Sequence, residues 1–321
     1  MTKERTESPK SEILKILIMG LDNSGKTSII YTLEQNFASF YSLKPTVSFQ
    51  IREDFKILGL PVKIWDLGGQ KQYRDEYLSK KGFIFGETNL IFFVIDTQDS
   101  KRYGDAIEYL EKSLEFLTKI GLPPPIVILL LHKVDPEIKN SKKVRDNLKI
   151  LQNLISSSYY TSNRALKIES FETSIYDREN LSRVFVSGIF KVFPKTQVIQ
   201  ESLNDFMKNA DADAALLLDE NALILGEAFS DDVKRNVCSI CGPYFANMIE
   251  KLLKFTITPP KVFEAQMEDG WLFQILLEIP GRAEKNRFYL VFFSRERSLD
   301  KINKYLPQFT QDLSNLVKFV V

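Results

Sequence analysis

Four mainly apolar runs dominate the first part of the chain, and each ends at a glycine or a polar residue. They are Leu14–Met19 before Gly20, Val62–Trp65 before Asp66, Leu90–Ile95 before Asp96, and Ile126–Leu131 before His132. An uninterrupted apolar strand is buried on both faces, which is typical of a parallel sheet covered by helices. Helical spacing between the runs, clearest in Asp105–Ile120, predicts a doubly wound α/β domain with a mainly parallel sheet, whose ligand lies beyond the carboxyl ends of the strands.

The pattern changes after Pro194-Lys195-Thr196, where we expect a domain boundary. A helix over about 197–209, two strands, a long helix and three further strands follow, and a last helix begins near Ser298. The predicted strands are Ala214–Asp219, Leu223–Ala228, Val262–Met267, Leu272–Ile279 and Phe288–Ser294, and the long helix is Asp231–Phe255 with Ser230 as its N-cap. This order predicts a smaller α+β domain with an antiparallel five-stranded sheet. We therefore expect a disordered tail over 1–12, an α/β domain over 13–194 and a second domain over 195–321.

Composition narrows the classes of function. Lys plus Arg is 43, Asp plus Glu is 42, and a net charge of +1 predicts no binding to nucleic acid or to an anionic membrane surface. No apolar run approaches the ~18 residues that span a bilayer, so we expect a cytoplasmic protein without direct membrane insertion. Cys238 and Cys241 fall inside the predicted long helix without further zinc ligands, and we interpret them as core residues.

The turn after the first apolar run carries a phosphate-binding pattern. Gly20-Leu21-Asp22-Asn23-Ser24-Gly25-Lys26-Thr27 matches the P-loop, and a predicted helix, Ser28–Leu33, follows it. The glycines let backbone N–H groups face the phosphates, the lysine brings a positive charge and also serves catalysis, and the threonine offers a hydroxyl to Mg²⁺. The expected nucleotide contacts in this segment are Asp22, Asn23, Ser24, Gly25, Lys26, Thr27 and Ser28.

Two further segments complete the expected phosphate site. In Trp65–Gln70, Asp66 is expected to hold Mg²⁺ through a water, Gly69 to offer its amide to the terminal phosphate, and Gln70 to orient the attacking water. Thr46 lies between the two motifs, and its hydroxyl is expected to complete the Mg²⁺ shell and to serve catalysis. A loop threonine without a function is the alternative for Thr46.

Base recognition is expected from the later strands. Asp135, in His132-Lys133-Val134-Asp135, can accept two hydrogen bonds from guanine that adenine cannot donate. The stem of Lys133 is expected along the purine, and Ser174 with the amide of Ile175 closes the pocket. His132 stands where the usual motif has asparagine, and we interpret it as a hydrogen-bonding link between loops. The predicted ligands are therefore GTP and GDP.

These motifs resemble the Ras-like small GTPases. Gly20–Thr27 and Trp65–Gln70 look most like the Arf branch, whereas His132–Asp135 and Thr173–Asp177 look like the Rag/Gtr branch. The last third of the chain resembles the roadblock domain of Rag proteins. The resemblance implies a slow GTPase that acts as a nucleotide-dependent switch, forms a homodimer or a heterodimer with a paralogue through 195–321, and is served by a GTPase-activating protein and an exchange factor. Recruitment to membranes through partners is a further expectation.

The chain departs from these families at several points, and three alternatives stay open. Rag proteins usually carry proline where Gly68 stands, and no arginine is evident near the switch segments, so we expect slow hydrolysis. A nucleotide-bound scaffold without turnover is disfavoured by Gln70 and Thr46. An Arf-like membrane-traffic switch is disfavoured by the polar residues 1–11 and the extra domain, and a P-loop ATPase is disfavoured by Asp135.

Overall fold

The computed structural model describes residues 13–36, 44–79, 81–119, 125–157, 168–281, 285–297 and 300–320. The tail expected over 1–12 and the helix start expected at Ser298 lie outside the described residues. Within these ranges the chain forms a six-stranded sheet followed by a five-stranded sheet.

The first sheet has the strand order β2-β3-β1-β4-β5-β6. Its strands are β1 Leu14–Gly20, β2 Phe49–Ile57, β3 Leu60–Leu67, β4 Leu90–Asp96, β5 Ile126–His132 and β6 Ile168–Thr173. β2 pairs antiparallel with β3, and the neighbouring pairs from β3 to β6 are parallel. The mainly parallel sheet predicted from the apolar runs is therefore confirmed.

Helices cover both faces of this sheet. They are α1 Lys26–Leu33, α2 Lys71–Ser79, α3 Lys81–Phe85, α4 Tyr103–Lys119, α5 Lys142–Ser157 and α6 Arg178–Val192. On one face, α4 buries Leu110, Leu114 and Leu117, which recur at helical spacing. On the other face, Phe185 of α6 stacks on Phe92 of β4. The doubly wound arrangement brings the carboxyl ends of β1, β3, β4, β5 and β6 to one edge of the sheet.

The second sheet has the order β8-β7-β11-β10-β9 and is antiparallel throughout. Its elements are α7 Gln197–Ala210, β7 Ala214–Asp219, β8 Ile224–Phe229, α8 Asp232–Lys254, β9 Val262–Met267, β10 Gly270–Pro280, β11 Lys285–Ser294 and α9 Asp300–Val320. Phe288 and Phe292 of β11 pack against α7 and α9, whereas Tyr289 and Phe293 pack against α8. The predicted five-stranded antiparallel sheet is confirmed, and these aromatic side chains are buried inside the chain.

The two sheets share a continuous apolar core. Phe55 of β2 and Phe185 of α6, whose rings meet edge to face with centroids 6.0 Å apart, belong to this core on the side of the first sheet. Leu203 of α7 belongs to the same buried cluster. Burial across this junction stabilises the two sheets against each other.

Arg178, the first residue of α6, fixes the junction with hydrogen bonds. Its guanidinium donates to the carbonyls of Asn221 and Ala222 in the β7–β8 turn and to the carbonyl of Thr32 in α1. The Asn221 side chain in turn donates to the carbonyl of Lys56 in β2, at 2.9 Å. Polar bonds at the edge of an apolar contact restrict how one sheet can rotate on the other.

Some elements differ from the sequence predictions. β2, α2 and α3 are not among the elements predicted from the sequence. The N-cap of α8 is Asp231 and not Ser230, because the Asp231 carboxylate accepts from the amides of Val233 and Lys234. In the part of the chain that the structure describes, no helix is long and apolar enough to cross a membrane.

Candidate nucleotide-binding site

Two glycines shape the turn between β1 and α1. Gly20 has φ +143°, and a Cβ there would overlap the carbonyl oxygen of Val94 in β4. Gly25 has φ +98°, and a Cβ there would lie 2.7 Å from the imidazole of His132. Both positions exclude a side chain, so the turn curls tightly into α1, whose N-terminus faces the carboxyl edge of the sheet.

Lys26 is buried inside this turn. Its ammonium donates to the carbonyls of Gly20 at 3.1 Å and Leu21 at 2.6 Å. Burial lowers the pKa of Lys26 to about 8, although the nearby Asp66 carboxylate acts in the opposite direction. A cation with so little water around it interacts strongly with any anion that reaches the loop.

Two hydroxyls and a carboxylate from three elements meet beside the loop. Thr27 Oγ1 donates to Asp66 Oδ2 at 2.7 Å, and Thr46 Oγ1 lies 3.1 Å from Thr27 Oγ1 and 3.3 Å from Asp66 Oδ2. Asp66 is fully buried, and this burial raises the pKa of its carboxyl against the effect of the Thr27 hydrogen bond. Its Oδ1 atom has no hydrogen-bond partner among the described residues. An unpartnered carboxylate oxygen with two hydroxyls fits Mg²⁺, which prefers oxygen ligands.

The segment after β3 lies directly against the P-loop. A Cβ on Gly69 would overlap the peptide between Leu21 and Asp22, so the Gly69 backbone approaches as only a glycine can. Gln70 follows at the start of α2, where its carbonyl accepts from the amide of Arg74 at 3.1 Å. Gly69, the expected amide donor, therefore lies beside the Leu21–Asp22 peptide of the P-loop, and Gln70 is the next residue along the chain.

The loops after β5 and β6 meet at the opposite end. Ser174 Oγ donates to Asp135 Oδ1 at 2.5 Å. Lys133 donates to the carbonyl of Asn23 at 2.8 Å and to Asp96 Oδ2 at 2.7 Å. These bonds join the P-loop, the end of β4 and the base-recognition loops, and they hold one oxygen of the half-buried Asp135 carboxylate in place.

His132 connects the P-loop to β6. Its Nδ1 lies 3.1 Å from Thr173 Oγ1, and its ring contacts Gly25. Only 2% of the residue is exposed. Burial lowers the pKa of His132 to about 4, the Lys133 charge acts in the same direction, and Asp96 opposes both. His132 is therefore a neutral link between loops and not an acid–base group.

Two arginines near the P-loop escaped the sequence analysis. Arg102 pairs with the Asp22 carboxylate at 2.5 Å, and the guanidinium of Arg74 lies 5.2 Å from the ring of Tyr109. Both arginines lower the pKa of Lys26 through their charge. Partial burial raises the pKa of Asp22, but the hydrogen bond and charge of Arg102 outweigh it and hold that pKa below its usual value. Arg74 follows Gln70 by four residues, so the expectation that no arginine lies near the switch segments around Thr46 and Gln70 is wrong.

One signal could have revealed Arg102. It closes a short 3₁₀ turn, Ser100–Arg102, directly after β4. The carboxyl edge of β4 is where a doubly wound sheet places its ligand, so a cation at this position was a candidate. Arg74 gave no comparable signal because α2 was not predicted.

The nucleotide contacts expected from the sequence lie at this edge of the first sheet: Asp22, Asn23, Ser24, Gly25, Lys26, Thr27, Ser28, Gly69, His132, Lys133, Asp135, Ser174 and Ile175. A P-loop on a doubly wound sheet, a hydroxyl–carboxylate cluster beside it and a carboxylate in the base loop define a small GTPase. Residues 15–241 match the Gtr1/RagA G protein conserved region. That match spans more than half of the chain, and the chain belongs to the Gtr1/RagA family of GTPases, which are nucleotide-dependent switches that hydrolyse GTP.

Similar proteins come from both the Rag-type and the Arf-like GTPases. The chain is 24% identical over 216 residues to Ras-related GTP-binding protein A of Dictyostelium discoideum, covering 66% of this chain and 68% of the relative. It is 24% identical over 222 residues to GTP-binding protein gtr1 of Schizosaccharomyces pombe, covering 68% and 69%. It is 35% identical over 109 residues to ADP-ribosylation factor-like protein 3 of Chlamydomonas reinhardtii, covering 34% and 58%. Rag-type and Arf-like relatives are thus both similar to this chain.

Among solved structures, the chain is similar to the Arl6 BBS3 small GTPase from Trypanosoma brucei with a bound nucleotide analogue, GppNp. The sequence identity is 18%, the TM-score is 0.44, and the likeness covers 56% of this chain and 96% of that chain.

Proposed function

We propose that this Gtr1/RagA-family chain is a Mg²⁺-dependent GTP/GDP switch that hydrolyses GTP slowly by itself and dimerises through its C-terminal sheet. One observation carries the nucleotide part, namely the contact of Thr27, Thr46 and Asp66. The two hydroxyls would ligate Mg²⁺ directly and Asp66 through a water, with phosphate oxygens completing the shell. When bound, Mg²⁺ supplies positive charge that offsets the charge of the phosphates. Thr46 would take part only while a terminal phosphate is present, which makes its segment the part that changes between states.

In this proposal hydrolysis uses few groups of the chain itself. Gln70 orients the attacking water, and Lys26 stabilises the charge that develops on the phosphoryl oxygens. Turnover stays slow because the Arg102 guanidinium is bound to Asp22 and Arg74 lies over an aromatic ring. A GTPase-activating protein is expected to supply the missing cation, and an exchange factor to release GDP.

Guanine is the base that the later loops would select. Asp135 would accept from the ring N1–H and the exocyclic amine, while the Ser174 hydroxyl holds the orientation of the carboxylate. The amide of Ile175 would donate to the guanine O6, and the stem of Lys133 would lie along the ring. Adenine offers neither the paired donors nor the acceptor at O6.

The Mg²⁺ part is tested with two matched threonine variants. Thr27→Val removes the hydroxyl and keeps the shape, and we expect the affinity for GTP to become insensitive to removal of Mg²⁺ by a chelator. Thr88→Val is the control. Thr88 is also a buried threonine, but it precedes the amino end of β4, whereas the site lies at the carboxyl ends of the strands. Binding of a fluorescent GTP analogue is measured with and without Mg²⁺. Equal Mg²⁺ dependence in the Thr27→Val variant and in the wild type would refute the proposed ligand set.

An apolar stripe on α8 supports the dimerisation part. Val233, Ile240, Tyr244 and Met248 share one side of the helix, and Tyr244 is 73% exposed. The opposite side of α8 packs on the second sheet. β9 is the outer strand on one edge of that sheet and pairs there with no further strand in the described ranges. An apolar helix face beside an unpaired strand edge can pair with a second copy or with a paralogue by the same contacts.

Point variants test dimerisation better than removal of 195–321, because the two sheets share a core. We expect the wild type to sediment as a dimer, and the double variant Ile240→Asp with Tyr244→Asp to sediment as a monomer that still binds GTP. Val198→Asp is the control, since it places a charge on an exposed apolar position of α7. A dimeric double variant contradicts the proposal, and a wild type that is monomeric by itself contradicts pairing with a second copy and leaves only a paralogue as the partner. Cytoplasmic location with recruitment to membranes through partners belongs to the same proposal.

A further inference from the structure

An ion pair joins the P-loop to the turn after β4. One guanidinium nitrogen of Arg102 lies 2.5 Å from Asp22 Oδ1, and the other lies 3.3 Å from the Asp22 carbonyl oxygen and 3.4 Å from Oδ2. The guanidinium therefore holds both the side chain and the main chain of one loop residue. Bonds of this kind between charged groups are stronger and more directional than neutral hydrogen bonds. In the function proposed above, the pair only explains why Arg102 does not take part in hydrolysis.

The position of Asp22 in the loop gives the pair a consequence. The peptide before Asp22 lies against Gly69, the residue whose amide is expected at the terminal phosphate. The Asp22 carboxylate raises the pKa of Lys26, and the Arg102 guanidinium lowers it. Asp22 is thus at the outer-phosphate end of the loop, whereas Asn23 is tied to the base side through Lys133. An unpaired carboxylate here would repel the additional negative charge that distinguishes GTP from GDP.

We propose that Arg102 is a positioning residue that neutralises the Asp22 carboxylate, and that the Asp22–Arg102 pair sets the preference of this chain for GTP over GDP. The proposal rests on the nucleotide site proposed above. Arg102 acts through Asp22 and does not itself touch the phosphates.

The bonds that the guanidinium already makes separate this role from direct catalysis. Arg102 donates through two nitrogens to the carboxylate and the carbonyl of Asp22, so one loop residue engages both of them. A guanidinium held there can offset the charge of a loop carboxylate, but it does not contact the transferred phosphoryl group.

A double-mutant cycle tests the proposal on the full chain. Dissociation constants for GDP and for a non-hydrolysable GTP analogue are measured with Mg²⁺ for the wild type, Arg102→Ala, Asp22→Asn and the double variant. We expect Arg102→Ala to weaken the GTP analogue on the order of tenfold and GDP by less than about twofold. In the Asp22→Asn background the same change should alter the ratio of the two constants by less than about twofold. Lys101→Ala removes an exposed cation from the same turn and serves as the matched control with an unchanged ratio.

Two further variants keep the test decisive if Arg102→Ala does not fold. Arg102→Gln keeps hydrogen-bond donors without the charge and should shift the ratio like Arg102→Ala, whereas Arg102→Lys should preserve it. Equal weakening of GTP and GDP, or the same loss in both backgrounds, overturns the proposal. Unchanged affinities with slower single-turnover hydrolysis also overturn it, because Arg102 would then act on the reaction. A wild type that binds neither nucleotide contradicts the proposed function instead.

Discussion

The neutral state of His132 leads to a prediction that one residue change and one pH range can test. Its ring is enclosed between Gly25 and Thr173, and burial lowers its pKa from 6.5 to about 4. In the unfolded chain the imidazole takes up a proton as the pH falls below about 6.5, whereas in the folded chain it does so only near the lowered value. The stabilisation associated with the neutral imidazole is therefore complete above the unfolded pKa and is lost as the pH falls through the folded pKa.

The magnitude follows from the two pKa values. The gap between 6.5 and about 4 corresponds to about 3 kcal/mol of unfolding free energy. His132→Asn keeps a hydrogen-bonding group and removes the titration. Between pH 7.5 and pH 4, we expect the wild type to lose about 3 kcal/mol relative to this variant. Asp219, whose pKa burial raises to about 7, acts with the opposite sign, but it is present in both proteins and cancels in the difference.

The assay combines NMR with denaturation. The chain has one histidine, so an untagged sample gives a single imidazole to follow by NMR. We expect no titration of that resonance above about pH 5, and unfolding free energies from denaturant titrations of the two proteins that diverge as the pH falls. A midpoint near 6.5 in the folded protein, or parallel pH curves for the two proteins, would refute the buried neutral link.

Three further predictions concern the base, the attacking water and the junction. Asp135→Asn should shift preference from guanosine to xanthosine nucleotides, because an amide donates where the carboxylate accepts; competition binding measures this, and unchanged GTP affinity contradicts the assignment. Gln70→Leu should slow single-turnover hydrolysis on the order of tenfold or more without loss of GTP binding, and an equal rate would favour a scaffold without turnover. Arg178→Ala should lower the unfolding free energy by about 2–4 kcal/mol, since it strands the carbonyls of Asn221 and Ala222; a chemical denaturation midpoint equal to that of the wild type would show that these bonds do not stabilise the junction.

Elements whose apolar positions are continuous, or which end at clear turn signals, could be predicted from the sequence. β7 and β9 have the predicted bounds, Ala214–Asp219 and Val262–Met267, because turn residues delimit both. β2 could not be predicted in the same way, since an edge strand with one solvated face carries charged residues such as Glu53 and Lys56. The predicted N-cap of α8, Ser230, is one residue before the observed one, Asp231. Serine and aspartate are both good caps, and the backbone geometry decides between them.

The residues of the candidate site also differ in whether the sequence could predict their arrangement. The residues within one motif, such as Lys26 and Thr27, could be predicted because their spacing along the chain determines their arrangement. The pairing of Asp22 with Arg102 could not, because it joins residues 80 positions apart through the packing of β1 beside β4. A single sequence shows that both charges exist, but only the register of the sheet brings them together.

Equilibrium binding of GTP, GDP and ATP to the purified full-length protein tests the central claim most directly. With Mg²⁺ present, calorimetry should show one guanine-nucleotide site per chain and binding of ATP that is about hundredfold or more weaker. ATP binding as tight as GTP binding, or no binding of either guanine nucleotide, would contradict the account.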